Sequence, residues 1–81
     1  MTDEELVAGC IKEDNACQHA LYKRYAGMMF AVCLRYAKSR MEAEDILQEG
    51  FIKVFDNISK FGFNGSFEGW IRKIMVNMAL L

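Results

Sequence analysis

No stretch of this chain alternates apolar and polar residues, and no proline interrupts it. Apolar residues recur instead at three- and four-residue steps along most of the sequence. That spacing gathers them on one side of an α-helix and leaves no strand pattern to pair. Six glycines supply the breaks. With 81 residues, 53% of them hydrophobic, there is room for one small domain and apolar surface enough to fold it. The expected fold is all-α: a small helical bundle of three main helices plus a short N-terminal one, formed by residues 1–81 as a single domain.

Four segments carry the helical pattern. Thr2-Asp3-Glu4-Glu5 reads as a capping box, opening a short helix that ends near Lys12. Asn15, with Gln18 three residues on, is expected to cap a long second helix from about Ala16 to Lys38. Leu21, Tyr25, Met28, Val32 and Tyr36 share one of its faces, and Phe30 and Leu34 lie opposite. A helix apolar on two sides belongs at the centre of a bundle. Ser39 or Arg40 should start the third helix, from about Met41 to Ile58, with acids in its first turn where they suit the helix dipole. The run KFGFNGS then forms a loop, and Ser66 caps a last helix that reaches Leu81. That helix ends without a cap or a polar tail, as expected of a piece of a longer chain.

Net charge is −1, but it is partitioned along the chain. Residues 1–14 carry −4, residues 15–40 carry +5, residues 41–58 carry −4 and residues 59–81 carry +2. Segregation of this kind points either to two surfaces with different partners or to neighbouring helices of opposite sign.

The third helix raises a specific question. At about 100° per residue, Ala43, Leu47, Gly50, Phe51, Val54 and Ile58 gather on a core face, with Ile46 and Phe55 at its shoulders. Glu42, Asp45, Gln48, Glu49 and Asp56 gather on the other face, and Ile52 falls among them. One apolar residue ringed by carboxylates and an amide has the make-up of an interface centre for a basic partner. Gly50, on the core side, predicts close approach of another helix.

On the fourth helix Phe67, Ile71, Ile74, Met78 and Leu81 form a core stripe, while Trp70, Lys73 and Asn77 share another edge and Arg72 lies further round. A ring, cations and an amide along one edge suit single-stranded nucleic acid, whose bases stack and whose phosphates pair. The loop before it, with Phe61, Phe63, Asn64 and Ser66, could receive an unstacked base and select it by hydrogen bonds. Phe61 and Phe67 are expected in the core.

The run AEDILQEGFIKVF, then an aromatic-and-glycine loop, then GSFEGWIRKI, resembles region 2 of bacterial sigma factors. The short spacing and single tryptophan resemble the extracytoplasmic-function (ECF) group, and the likeness spans about Leu6 to Leu81. The resemblance implies docking on the clamp helices, a coiled coil of the largest RNA polymerase subunit, through Asp45, Gln48 and Glu49. The helical wheel adds Ile52, Glu42 and Asp56 to that face. The resemblance further implies that the loop and last helix recognise the −10 promoter element as melted, single-stranded non-template DNA and capture a flipped base. On that reading Phe63, Asn64, Ser66, Trp70, Arg72, Lys73 and Asn77 contact DNA. Primary sigma factors carry paired tryptophans where this chain has Gly69-Trp70, so the duplex wedge is halved and autonomous melting should be weak. The separate region 4 domain that reads the −35 element is absent from this sequence.

No catalysis, cofactor or metal is implied. His19 is the only histidine, and Cys17, two residues earlier, points about 200° away on a helix. No serine–histidine–acid set, P-loop or zinc quartet is present. Cys10, Cys17 and Cys33 read as buried free thiols of a reducing cytoplasm. The acidic start is not a secretory signal, no apolar run is long enough to insert in a membrane, and a cytoplasmic location is expected. The competing reading is a helical protein–protein interaction module, a regulator or anti-sigma binder with no DNA binding of its own. An anti-sigma factor is also an expected partner on the sigma reading.

Overall fold

The chain enters its first helix through a reciprocal cap. In a computed structural model describing residues 1–81, the Glu5 amide donates to Thr2 Oγ1 at 3.1 Å and the Thr2 amide donates to Glu5 Oε1 at 2.8 Å. This predicted capping box starts α1, Asp3–Ile11. It is followed by α2 (Asn15–Tyr36), α3 (Arg40–Asn57), a 3-10 turn (Ile58–Lys60) and α4 (Phe67–Ala79). There is no strand, as the periodicity requires.

The turn between α1 and α2 corrects one expectation. Glu13 takes a left-handed conformation (φ 61°), its amide donates to Cys10 O at 2.9 Å, and the Asp14 amide donates to Gly9 O at 3.0 Å. This paired pattern closes a helix C-terminus. It delivers Asp14, not Asn15, to the cap position, where Oδ1 accepts from the amides of Ala16 and Cys17 at 2.9 and 3.3 Å. Asn15 is already the first helical residue. At the next junction Ser39 is the cap, its Oγ accepting from the Glu42 amide at 3.1 Å. Ser66 caps α4 as expected, accepting from the Gly69 amide at 3.1 Å.

α2 is the central helix and packs against α1, α3 and α4, while α3 also packs against α4. The buried residues of α2 are Cys17, Leu21, Tyr25, Met29, Val32 and Cys33. Met28 and Tyr36, expected in this face, are 43% and 45% exposed, and Leu34 on the far side is exposed too. From Tyr25, steps of three and four both lie within the apolar arc. The neighbouring helices cover the four-step stripe, so Met29 takes the core place.

The core face of α3 is as read from the wheel: Ala43, Ile46, Leu47, Gly50, Phe51 and Val54 are buried, Ile58 beyond the helix end is buried, and Phe55 is half-buried. On α4, Phe67, Ile71 and Met75 are buried, Ile74 and Met78 are half-buried, and Leu81 is exposed past the helix end. Met75 enters the core because α3 offers it Gly50. A Cβ on Gly50 would stand 2.3 Å from Met75 Sδ, which makes this the close helix approach that the glycine predicted. Gly9 does the same for α1 and α2, where an added Cβ would stand 2.7 Å from Cys17 Cβ.

Candidate functional site

α3 turns two different chemistries outward. Glu42, Asp45, Gln48, Glu49 and Asp56 are all exposed, and Ile52 among them is 61% exposed. The ion pairs of the molecule are Arg24–Asp3, Arg40–Glu44 and Arg72–Glu68. None of them uses a carboxylate of this face. Glu42 alone is partly engaged, its Oε1 accepting from the Lys38 amide at 3.4 Å. The helix therefore presents an apolar side chain within a ring of uncommitted acceptors. No base of a neighbouring helix closes an ion pair onto these carboxylates.

On another side of α3, Lys53 and Asn57 face α4. With Lys60, Trp70, Ile74, Asn77 and Met78 they line a groove of about 310 Å³. Trp70 is half-buried, stacked on Phe67 with ring centroids 5.6 Å apart and planes 21° from parallel. Phe61 touches the same cluster, 5.1 Å from Phe67 and 5.6 Å from Trp70. The indole is thus held from behind by buried rings while its free part faces the groove. A ring backed by other rings and set beside two cations can offer a stacking surface with phosphate partners at hand.

The expected nucleic-acid residues are distributed unequally over this surface. Trp70 and Asn77 line the groove. Lys73 is exposed but does not line it, and Arg72 is held by Glu68 at 3.0 Å in a half-exposed pair. Lys53, Asn57 and Lys60 were not singled out from the sequence. They recur at four- and three-residue steps through the end of α3 and the 3-10 turn, and Lys53 is the lone cation of residues 41–58, which is the signal that marks them.

The loop between α3 and α4 carries the remaining candidates. Gly62 and Gly65 take left-handed conformations (φ 67° and 77°), which glycine adopts freely. Phe63 does so as well (φ 58°), where a bulky side chain is a real outlier. The consequence is a ring left 48% exposed, 5.8 Å from Phe61. Asn64 and Ser66 are exposed beside it, Ser66 being occupied in part by its capping bond. Phe61, Phe63, Gly65, Ser66 and Phe67 form one wall of a second cleft, of about 630 Å³, closed on its other side by Asp3, Glu4 and Val7 of α1.

The three cysteines are free and buried. Burial pushes the Cys10 thiol up to about 11, so at neutral pH it is an unreactive core group. Exposed His19 and these thiols do not assemble into a metal-ligating cluster. No helix is long and apolar enough to cross a membrane.

The all-helical bundle thus presents one acid-ringed face and one aromatic–cationic groove. Residues 21–80 match the model of the Sigma-70 region 2 family, and the chain belongs to that family. Its relatives are of the ECF type. It is 33% identical to the ECF RNA polymerase sigma-E factor of Haemophilus influenzae over 98% of this chain and 41% of the relative. It is 36% identical to the ECF RNA polymerase sigma factor SigW of Bacillus subtilis over 69% of this chain and 30% of the relative. The chain thus spans less than half the length of these relatives. Among solved structures, an engineered region 2 of sigmaE, determined by NMR in complex with GTAAAA, superposes with a TM-score of 0.91 at 32% identity, covering 99% of this chain and 83% of that one.

Proposed function

We propose that this domain is the polymerase-docking and −10-recognition part of a transcription initiation factor. One face of α3 docks on the clamp helices of the largest RNA polymerase subunit, with Ile52 at the centre and Asp45, Gln48 and Glu49 as principal acceptors, flanked by Glu42 and Asp56. The α3–α4 groove and the loop hold the melted non-template strand through Trp70, Asn77, Phe63, Asn64 and Ser66, with Lys73 and Arg72 on the phosphates. Lys53 and Lys60 join that set. The observation that carries the reading is the division of α3 itself. The same helix sends uncommitted carboxylates and Ile52 to one side and Lys53 and Asn57 into a groove with Trp70 on another. A protein-only module has no need of the second face. The complex of the solved relative with GTAAAA supports the same assignment.

The mechanism is binding without bond chemistry. Stacking contributes about 1–3 kcal/mol per base, and that free energy offsets unpairing of the duplex. One tryptophan in place of a pair limits the domain to strands already opened with the help of polymerase. The polymerase partner and the buried free thiols fit a cytoplasmic location. The two exposed faces are also the surfaces that an anti-sigma factor has to cover to silence the domain.

Single-stranded DNA tests the reading. Affinity should fall steeply between low and physiological salt and should depend on sequence. Trp70→Ala should weaken binding about 5- to 150-fold, the loss of one stacked base. Circular dichroism must accompany it, because Trp70 also packs on Phe61 and Phe67. Salt-independent binding, or a folded Trp70→Ala variant that binds as the parent does, contradicts the groove assignment.

A further inference from the structure

α2 and α3 lie side by side, and two contacts fix how they run. Tyr22 meets Phe51 with ring centroids 4.8 Å apart, and the Arg40 guanidinium lies 5.4 Å over the Phe30 ring. The helices are therefore antiparallel, which brings Lys23 beside the Ile52 end of α3 and Leu34 beside the Met41 end. Lys23 and Leu34 are eleven residues apart on α2, as are Met41 and Ile52 on α3. Eleven residues are about three turns, so each pair marks a straight row along its helix. All four side chains are exposed, Met41 most of all at 74%. A Cβ added to Gly27, between Lys23 and Leu34, would have no neighbour within 4 Å, so the α2 row is open at its middle.

Charge is divided between the two rows. Residues 15–40 hold five bases and no acid, and Lys23, Arg35 and Lys38 are exposed and outside every ion pair of the molecule. On α3, Asp45 and Glu49 beside Ile52 are equally free. The result is one face, basic along the α2 edge and acidic along the α3 edge, with Leu34, Met41 and Ile52 as its apolar part. Such a face is complementary to itself. A two-fold rotation about an axis along the seam lays α2 of one copy over α3 of the other, and the same contact is made twice. Lys23 then meets Glu49, and Leu34 meets Met41. A phosphate backbone would be repelled by Asp45 and Glu49, and a foreign acidic helix would match the α2 row alone. A second copy uses both rows at once.

We infer that the domain pairs with a second copy of itself through the α2–α3 face, in an isologous dimer whose basic rows cover the partner's acidic rows. Asp45, Glu49 and Ile52 are buried in that dimer. Self-association and docking on the clamp helices therefore exclude each other, a consequence that, unlike the dimer, rests on the docking reading above.

Sedimentation equilibrium of the 81-residue chain at low salt tests the pairing. The average mass is expected to rise from 9.3 kDa toward roughly double that value between about 1 μM and about 1 mM protein. Lys23→Glu and Glu49→Lys each set like charges against one another across the two-fold axis, and each should weaken association at least about tenfold. Combined, they restore opposite charges and should restore the dimer. Lys73→Glu, the same charge change on α4, should dimerise as the parent does, with all variants equally helical by circular dichroism. A parent that stays monomeric at about 1 mM overturns the inference and leaves the face to a foreign partner. A dimer indifferent to both single reversals, or a folded double variant that stays monomeric, overturns it too. Clamp-helix fragment added to the dimer should replace it by one-to-one complexes. A dimer that takes up the fragment intact overturns the assigned face, whereas a fragment that binds neither form contradicts the docking reading alone.

Discussion

Alanine at both Asp45 and Glu49 is expected to abolish docking on the polymerase clamp helices while leaving the domain folded. Both side chains are exposed and neither takes part in an ion pair within the bundle. Surface replacements of this kind usually change stability by no more than about 0.5 kcal/mol. Alanine is the better helix former, so α3 loses nothing in propensity. In a docked complex the two carboxylates would meet basic side chains in a partly dried interface. Removing one partner of a hydrogen-bonded, desolvated charge pair costs about 2–5 kcal/mol. Two such losses weaken binding about 700-fold or more, by the rule that about 1.4 kcal/mol is tenfold. Fluorescence anisotropy against a clamp-helix fragment, beside thermal melting, checks both halves. A double variant that melts like the parent and still docks normally places the polymerase face elsewhere.

The second large effect is on stability. Leu21→Ala is expected to destabilise the domain by about 2–5 kcal/mol, through lost burial and the cavity left behind. Leu21 has no exposed surface and sits on the central helix, where α1, α3 and α4 all converge on α2. Domains have about 5–15 kcal/mol of stability in total, and small ones lie toward the bottom of that range. The midpoint of a melt should therefore fall by about 10–30 °C. Leu34→Ala is the matched comparison, because Leu34 lies on the same helix but is 45% exposed. Its midpoint should move little. Equal shifts for the two would show that α2 is rotated from the orientation described.

The contrast between those leucines marks what the sequence could and could not reveal. Element type and order were legible, because proline is absent and the apolar spacing is helical throughout. The α3 core face was legible residue by residue, since Ala43, Leu47, Gly50, Phe51 and Val54 leave no competing arc. The α2 face was not: Met28 and Met29 both satisfy the spacing, and only the neighbouring helices decide between them. Met75 was missed for a related reason. It needs the gap above Gly50, which belongs to another helix. The cap at Asp14 depended on a left-handed Glu13, an uncommon choice that composition does not announce.

The candidate site divides in the same way. Exposure of Asp45, Gln48, Glu49 and Ile52 followed from one helical wheel, and the surface is as drawn. The groove did not follow, because Lys53 and Lys60 meet Trp70 and Asn77 only when α3 lies beside α4. The cleft between the loop and α1 joins residues some sixty positions apart, and periodicity within an element cannot bring them together. Resemblance supplied roles to α3, to the loop and to α4.

Ile52 remains the residue on which the account turns, since a partner is the reason given for its exposure. The most direct measurement is binding of the domain to a purified clamp-helix fragment of bacterial RNA polymerase, with Ile52→Asp alongside. Saturable binding by the parent and its loss in the variant are expected, with both proteins equally folded. A folded parent that does not bind the clamp helices would contradict it.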